Sequence, residues 1–259
     1  MSERTAYPHG VPNWTTCLTR DVAAAMRFYG AVFGWTFDVS EEGGYAVALL
    51  RGREVAGIGP VPTDPQASPG WVMQVCVDDA RAIAEAAQAA GGQVLSGPQD
   101  LSPATILTVL ADPSGAVVCA GETVARIGAE LVNESGAWSM GRLSTPDPAA
   151  VASFYGTLFG WQADAYGPVT LFKLPGYVGG EPMQPVPRDV IAVGAPAPKP
   201  ARWEMDFWVD DADVAAATAL KHGGAVLSEP ADQQQVPFRQ ATLADPDGSV
   251  FTVSALLAS

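Results

Sequence analysis

FYGAVFGW at 28–35 returns as FYGTLFGW at 154–161, an offset of 126 residues. Two more blocks repeat in the same order. GGQVLSGPQD at 91–100 matches GGAVLSEPAD at 223–232, and LADPSGAVVCA at 110–120 matches LADPDGSVFTV at 243–253. Three matched blocks in one order mean a duplicated domain. The offset grows to 132 and then 133, which places small insertions in loops, where they are tolerated.

Each copy reads as two halves. In the first, an extended stretch at 12–19 leads to Asp21, a candidate N-cap, and to a helix over 22–33 stopped by Gly34. Short strands follow at about 36–39, 45–50 and 54–59. The Pro-rich stretch 60–70 interrupts the pattern, which then restarts. A strand at 71–77 leads to Asp79, an Ala-rich helix to about Ala90, Gly91-Gly92 and three strands, at about 93–96, 104–111 and 116–121. Copy two repeats the order. Asp147 is expected to cap a helix to Phe159, and Asp211 to open the last one. The expected organisation is a first domain over 8–122 with modules at about 8–60 and 70–122. A linker over 123–136 joins it to a second domain over 137–257, with modules at about 137–187 and 201–257.

Composition narrows the function. The 259 residues are 48% hydrophobic and 16% charged, enough to build real cores. A net charge of -14 disfavours phosphate backbones and anionic membrane surfaces, so no nucleic-acid or membrane partner is expected. There is no run of ~18 apolar residues. The polar start, MSERTAYPHG, is unlike a signal peptide, and Cys17, Cys76 and Cys119 form no disulfide framework. A cytoplasmic location is therefore expected.

The FYG-x-x-FGW helix end, the strand–Asp–helix–GG pattern and the D-P-[SD]-G turn before a last strand resemble the glyoxalase / bleomycin-resistance / extradiol-dioxygenase superfamily, the vicinal oxygen chelate fold. The resemblance implies an α+β fold of four βαβββ modules, forming two glyoxalase-like domains with curved mixed sheets and concave cavities. Members isomerise, epimerise, oxygenate, open epoxides or sequester drugs. Most of the enzymes hold one divalent metal through His, Glu or Gln. The positions that resemble ligand positions carry Trp14, Val72 and Cys119 in copy one, and Met140, Glu204 and Thr252 in copy two. A remaining position falls among Val55–Ile58 in copy one and at Glu181 in copy two. The usual imidazoles are missing: His9 precedes the first strand and His222 ends a helix. No metal and no other cofactor is expected.

Strand alternation fixes which other residues share the cavity faces. In copy one these are Trp14, Thr16, Leu18, Val72, Gln74, Cys76, Val117 and Cys119, a mostly apolar set. Copy two places Met140, Arg142, Ser144, Glu204, Asp206, Trp208, Val250, Thr252 and Ser254 there. Arg142, Glu204 and Asp206 on one face need either a ligand or each other. They read equally as a polar recognition or acid/base site and as an ion pair replacing a metal. Trp14 and Trp208 read equally as stacking surfaces for an aromatic ligand and as cavity filling. The FYG-x-x-FGW aromatics, Trp71, Trp203, Met26 and Met73 read as core. No Ser-His-Asp set, P-loop or dinucleotide fingerprint is present.

Two functions fit. One is a metal-independent protein that binds a hydrophobic or aromatic natural product, for sequestration, resistance or service to a biosynthetic partner enzyme. Its expected ligand-binding residues are Trp14, Thr16, Gln74, Cys119, Met140, Arg142, Glu204, Asp206, Trp208 and Thr252. The alternative is a metal-independent isomerase, cyclase or hydrolase using Glu204 or Asp206, with Arg142 as their partner. A metal-dependent oxygenase or lyase fits the ligand positions poorly.

Overall fold

The two FYG-x-x-FGW segments end their helices in the same way. Gly34 and Gly160 both adopt φ 73°, the left-handed region that spares glycine a Cβ clash, and each returns its N–H to the carbonyl four residues back. The computed structural model describes residues 3–40, 44–63, 67–102, 104–178, 188–234 and 236–257.

Copy one has two modules: β1 (Pro12–Thr19), α1 (Val22–Phe33), β2 (Thr36–Val39), β3 (Ala46–Leu50) and β4 (Arg53–Pro60), then β5 (Gly70–Val77), α2 (Ala80–Ala89), β6 (Gln93–Leu101), β7 (Thr105–Ala111) and β8 (Val117–Thr123). Copy two has β9 (Trp138–Thr145), α3 (Ala152–Phe159), β10 (Gln162–Tyr166), β11 (Val169–Lys173) and β12 (Val190–Pro196), then β13 (Arg202–Trp208), α4 (Ala212–Lys221), β14 (Ala225–Asp232), β15 (Phe238–Ala244) and β16 (Val250–Leu256).

Each copy forms one mixed eight-stranded sheet, in the order β2-β3-β4-β1-β5-β8-β7-β6 and β10-β11-β12-β9-β13-β16-β15-β14. Within a module the first and last strands are parallel (β1 with β4, β5 with β8), and the two modules join through antiparallel first strands, β1 with β5 and β9 with β13.

Asp21, Asp79 and Asp211 cap their helices by accepting backbone N–H groups of the first turn. Asp147 does not. It accepts from Ala149 and Ala150 in a turn, and α3 starts only at Ala152, behind Val151 with no side-chain cap. Irregular three-residue bonds run through this segment, from Ala152 N–H to Ala149 and from Phe154 N–H to Val151, and delay the regular helix.

The expected core residues are buried, but the core is shared by both copies. Phe28, Tyr29, Phe154 and Tyr155 are essentially inaccessible, and Met73 is fully buried while Met26 packs at the margin. Phe33 of copy one lies 4.8 Å from Phe207 of copy two, and Trp71 4.9 Å from the same ring. Met73 packs onto Gly141, where a Cβ would collide with its sulfur. The helix-bearing sides of the two sheets therefore meet.

Polar links cross in matched pairs. Tyr29 donates to Asp245 at 3.0 Å and Tyr155 to Asp112 at 2.7 Å. Trp71 and Trp203 donate to those same tyrosine oxygens, each at 3.0 Å. Trp35 donates to the Gly136 carbonyl and Trp161 to that of Gly10. Burial pushes both tyrosine hydroxyls well above their ordinary pKa, so they act as neutral donors.

Candidate functional site

The sheet faces turned away from this core carry the expected site residues, and the two copies build them differently. In copy one Trp14 and Gln74 are cross-strand partners, as are Thr16 and Val72. Tyr45, just before β3, lies across them. Its hydroxyl accepts from Trp14 Nε1 at 3.0 Å and bonds Thr16 Oγ1 at 3.1 Å. Its ring covers Gly57 and Gly59, where any Cβ would collide with it. Tyr45 opens the strand expected at about 45–50, but the expected site residues lie on the first and last strands of each module and leave it out; the signal available was the G-x-G in β4, which leaves room for a large neighbour.

Gln74 covers Gly121 and donates to Asn13 Oδ1 at 3.2 Å. Asn13 reaches it because β1 carries a bulge between Pro12 and Trp14, which re-aims the extra residue. Cys119 is buried, and that burial pushes its thiol up to about 12. A thiol held protonated is a poor nucleophile and a poor ligand. Copy one thus brings Trp14, Thr16 and Tyr45 into one hydrogen-bonded group, with Gln74 next to it.

In copy two Arg142 and Glu204 are cross-strand partners, and Met140 faces Asp206. Arg142 is exposed, and among the described residues it forms no ion pair with either carboxylate. Of the two readings of these groups, an ion pair does form, but with a different arginine. Glu204, 7% exposed, is held by Arg202 through Nε at 2.8 Å and Nη2 at 2.6 Å, and accepts from Ser144 at 3.1 Å. Arg202 was legible as R-x-E: two residues apart on a strand share a face. Both guanidinium nitrogens close on Oε1 and Ser144 on Oε2, so each oxygen of this carboxylate already has a partner.

Asp206 is different. Ser139 and Ser254 each donate to it at 2.6 Å, on opposite oxygens, and Gln240 donates to Ser254 at 2.9 Å. Ser139 sits on the copy-two counterpart of the Asn13 bulge. Burial raises the Asp206 pKa to about 6 against the opposing pull of the two serines and the Arg142 charge. Thr252 is its parallel-strand partner and is buried. Trp208 is partly exposed at the edge of this face, its ring 5.7 Å from Phe238 in an edge-on contact.

Asp206 makes a testable statement. Its folded pKa lies above the unfolded carboxylate value of 3.8, so its contribution to stability is present below pH ~4 and is lost as pH rises through about 6. The carboxyl carbon should titrate by NMR with a midpoint near 6. The stability difference between wild type and Asp206→Asn should shift against wild type between pH 4 and pH 7. A midpoint below 4.5 would remove the burial argument.

The donor set does not fit the divalent metal that the fold family implies. Copy one presents an indole, a valine and a protonated thiol at the ligand positions, with Tyr45 lying against the first of them. Copy two presents a thioether, a threonine and a carboxylate already bound by Arg202. Among the described residues no three or more His, Cys, Asp or Glu gather as a metal group. Glu181, the remaining candidate, lies outside the described residues. His9, just before β1, bonds the Leu158 carbonyl at 3.1 Å, and His222 ends α4; neither stands at one of these ligand positions. Among the described residues, no helix is long and apolar enough to cross a membrane.

Known proteins share this architecture. The chain is 36% identical to a provisionally named glyoxylase, CFP32, of Mycobacterium tuberculosis, over 98% of this chain and 97% of that one. It is 30% identical to the anthracycline biosynthesis protein DnrV of Streptomyces peucetius, over 97% and 95%. The Mn(II)-bound glyoxalase of Novosphingobium aromaticivorans superposes with a TM-score of 0.68 over 96% of this chain and 83% of that one, at 15% identity, a likeness of fold. The family model of the glyoxalase-like domain matches twice, at residues 14–121 and 140–254. The chain belongs to the glyoxalase-like domain family, as a tandem two-domain member of the vicinal oxygen chelate fold.

Proposed function

We propose that this protein binds a hydrophobic, aromatic natural product without a metal, on the open face of copy two. The observation that carries the reading is the donor set: the positions where the fold family places metal ligands are occupied by Trp14, Val72 and Cys119 in one copy and by Met140, an arginine-bound Glu204 and Thr252 in the other. What remains on copy two is a recognition surface, with Trp208 and Met140 as apolar contacts, Asp206 as the polar centre and the exposed Arg142 beside it. The anthracycline-biosynthesis relative supports an aromatic polyketide as the ligand class. Sequestration, resistance or removal of a product from a biosynthetic partner enzyme would follow from such binding.

Two measurements test it. Elemental analysis of the purified protein should find far less than one equivalent of Fe, Mn or Zn. An anthracyclinone titrated into the protein should quench tryptophan fluorescence saturably at micromolar concentration, and Trp208→Phe should remove most of the quench. A stoichiometric metal, or a linear response without saturation, would defeat the reading.

The Asp206 pKa of about 6 favours one further possibility on the same face, an isomerase, cyclase or hydrolase in which Asp206 moves a proton. Turnover lost in Asp206→Asn with ligand affinity retained would establish that role.

A further inference from the structure

Tyr45 lies on the outer face of copy one and is not part of the core that the two copies share. Its seat is built for it. Gly57 and Gly59 alternate along β4 beneath the ring: a Cβ on Gly57 would strike the Tyr45 hydroxyl, and one on Gly59 would stand 2.8 Å from the ring. Glycine weakens a strand interior, so two at this spacing mark the close approach of a neighbour. The hydroxyl accepts from Trp14 Nε1 at 3.0 Å and bonds Thr16 Oγ1 at 3.1 Å. Burial raises its pKa against the opposing pull of those two bonds, so the group held there is a neutral phenol. Tyr45 stays partly exposed, so the place it fills opens to solvent.

Copy two has the same frame without the ring. Thr16 pairs with Gly57 and Leu18 with Gly59 across β1 and β4, as Arg142 pairs with Val193 and Ser144 with Ala195 across β9 and β12. On the next strand Val47 opposes Gly57, and Leu171 opposes Val193. Tyr45 stands two residues before Val47, and Val169 two before Leu171. The phenol, the indole and both glycines are thus exchanged together, for Val169, Met140, Val193 and Ala195. The ring and its seat form one unit that copy two lacks.

We propose that copy one is a phenol-binding site that the chain fills with its own Tyr45, and that Tyr45 thereby confines ligand binding to copy two, one molecule per chain. The confinement rests on the proposed binding function; the phenol site rests on the geometry around Tyr45 alone.

The test uses p-cresol, the tyrosine side chain as a free molecule, and toluene, which lacks the hydroxyl. By calorimetry on the full chain, Tyr45→Ala should take up one equivalent of p-cresol more than wild type. Tyr45→Phe, which keeps the ring in place, should take up no more than wild type. Toluene should bind Tyr45→Ala roughly 3- to 10-fold more weakly than p-cresol, the worth of the hydroxyl's bonds, and adding Trp14→Phe should narrow that difference. An anthracyclinone should saturate wild type at one molecule per chain. No extra p-cresol on folded Tyr45→Ala, equal affinity for toluene and p-cresol, or two anthracyclinones per wild-type chain would each overturn the proposal. Folding of Tyr45→Ala only in the presence of p-cresol would support it; should that variant not fold at all, the wild-type count decides. The two readings fail separately. Absence of a saturable anthracyclinone response sinks the binding function, while p-cresol uptake by Tyr45→Ala still upholds the copy-one site. A quench removed by Trp14→Phe and kept in Trp208→Phe puts the ligand in copy one and overturns the confinement.

Discussion

Asp245→Ala is expected to destabilise the protein by roughly 3–5 kcal/mol, in the range for breaking a buried charged network. The carboxylate is 4% exposed and every acceptor position is used. Oδ1 takes the backbone N–H groups of Asp247 at 2.9 Å and Ser249 at 2.8 Å, which shape the turn before β16. Oδ2 takes the Tyr29 hydroxyl from the other copy, which in turn holds Trp71. Alanine removes the acceptor of these three donors, and of the Cys17 thiol 3.7 Å from Oδ2, inside the shared core. The urea midpoint should fall with the slope unchanged, because one cooperative unit still unfolds. Asp245→Asn, which keeps an acceptor oxygen for part of the network, should lose less. A loss under about 1 kcal/mol for the alanine variant would mean that water satisfies the turn instead.

Gly224→Ala tests the same interface through shape. A Cβ there would stand 2.5 Å from the Ala244 carbonyl oxygen and 2.7 Å from the edge of Phe28, so backbone and an inaccessible ring must both yield. Overpacking of this kind should cost about 2–3 kcal/mol. Gly34→Ala is the control: nothing lies within 4 Å of its Cβ, and only the left-handed φ of 73° opposes it, at a cost of about 1–2 kcal/mol. Phe28→Leu combined with Gly224→Ala should recover part of the loss, and thermal unfolding of the four proteins closes the cycle. Additive effects would show that Phe28 is not what Gly224 accommodates.

The repeated blocks made the order of elements legible, and three of the four aspartate caps with it, but β12 (Val190–Pro196) lies beyond the expected end of its module at about 187. Asp147 misled because the chain between it and α3 spends a turn in tighter bonding, which no cap residue reveals. The blocks state which residues are equivalent, not which touch. Tyr29 and Asp245 are separated by 216 residues, and nothing in either motif names the other as its partner. At the site, alternation assigned Gln74, Glu204 and Asp206 to the outer faces. It could not place Asn13 or Ser139, because a bulge shifts the period by one and turns a residue expected on the core side toward Gln74 or Asp206. The partner of Glu204 was hidden for another reason: Arg142 directly opposes it across the strands, yet the long side chain of Arg202, two residues along the same strand, is the one that reaches it.

The paired crossings carry a consequence for how such a molecule can diverge. These contacts have twins with the copies exchanged: Tyr29 to Asp245 and Tyr155 to Asp112, Phe28 on Gly224 and Phe154 on Gly92. This is the self-complementary arrangement of a two-fold homodimer, here joined into one polypeptide. In a true homodimer any substitution appears twice, and a carboxylate placed under desolvation would burden both subunits. Covalent fusion lifts that constraint. The interior keeps its mirrored pattern, while the Asn13, Gln74 and Gly121 of one outer face correspond to Ser139, Asp206 and Ser254 of the other, so a carboxyl of raised pKa stands at a position where the other copy has a neutral amide.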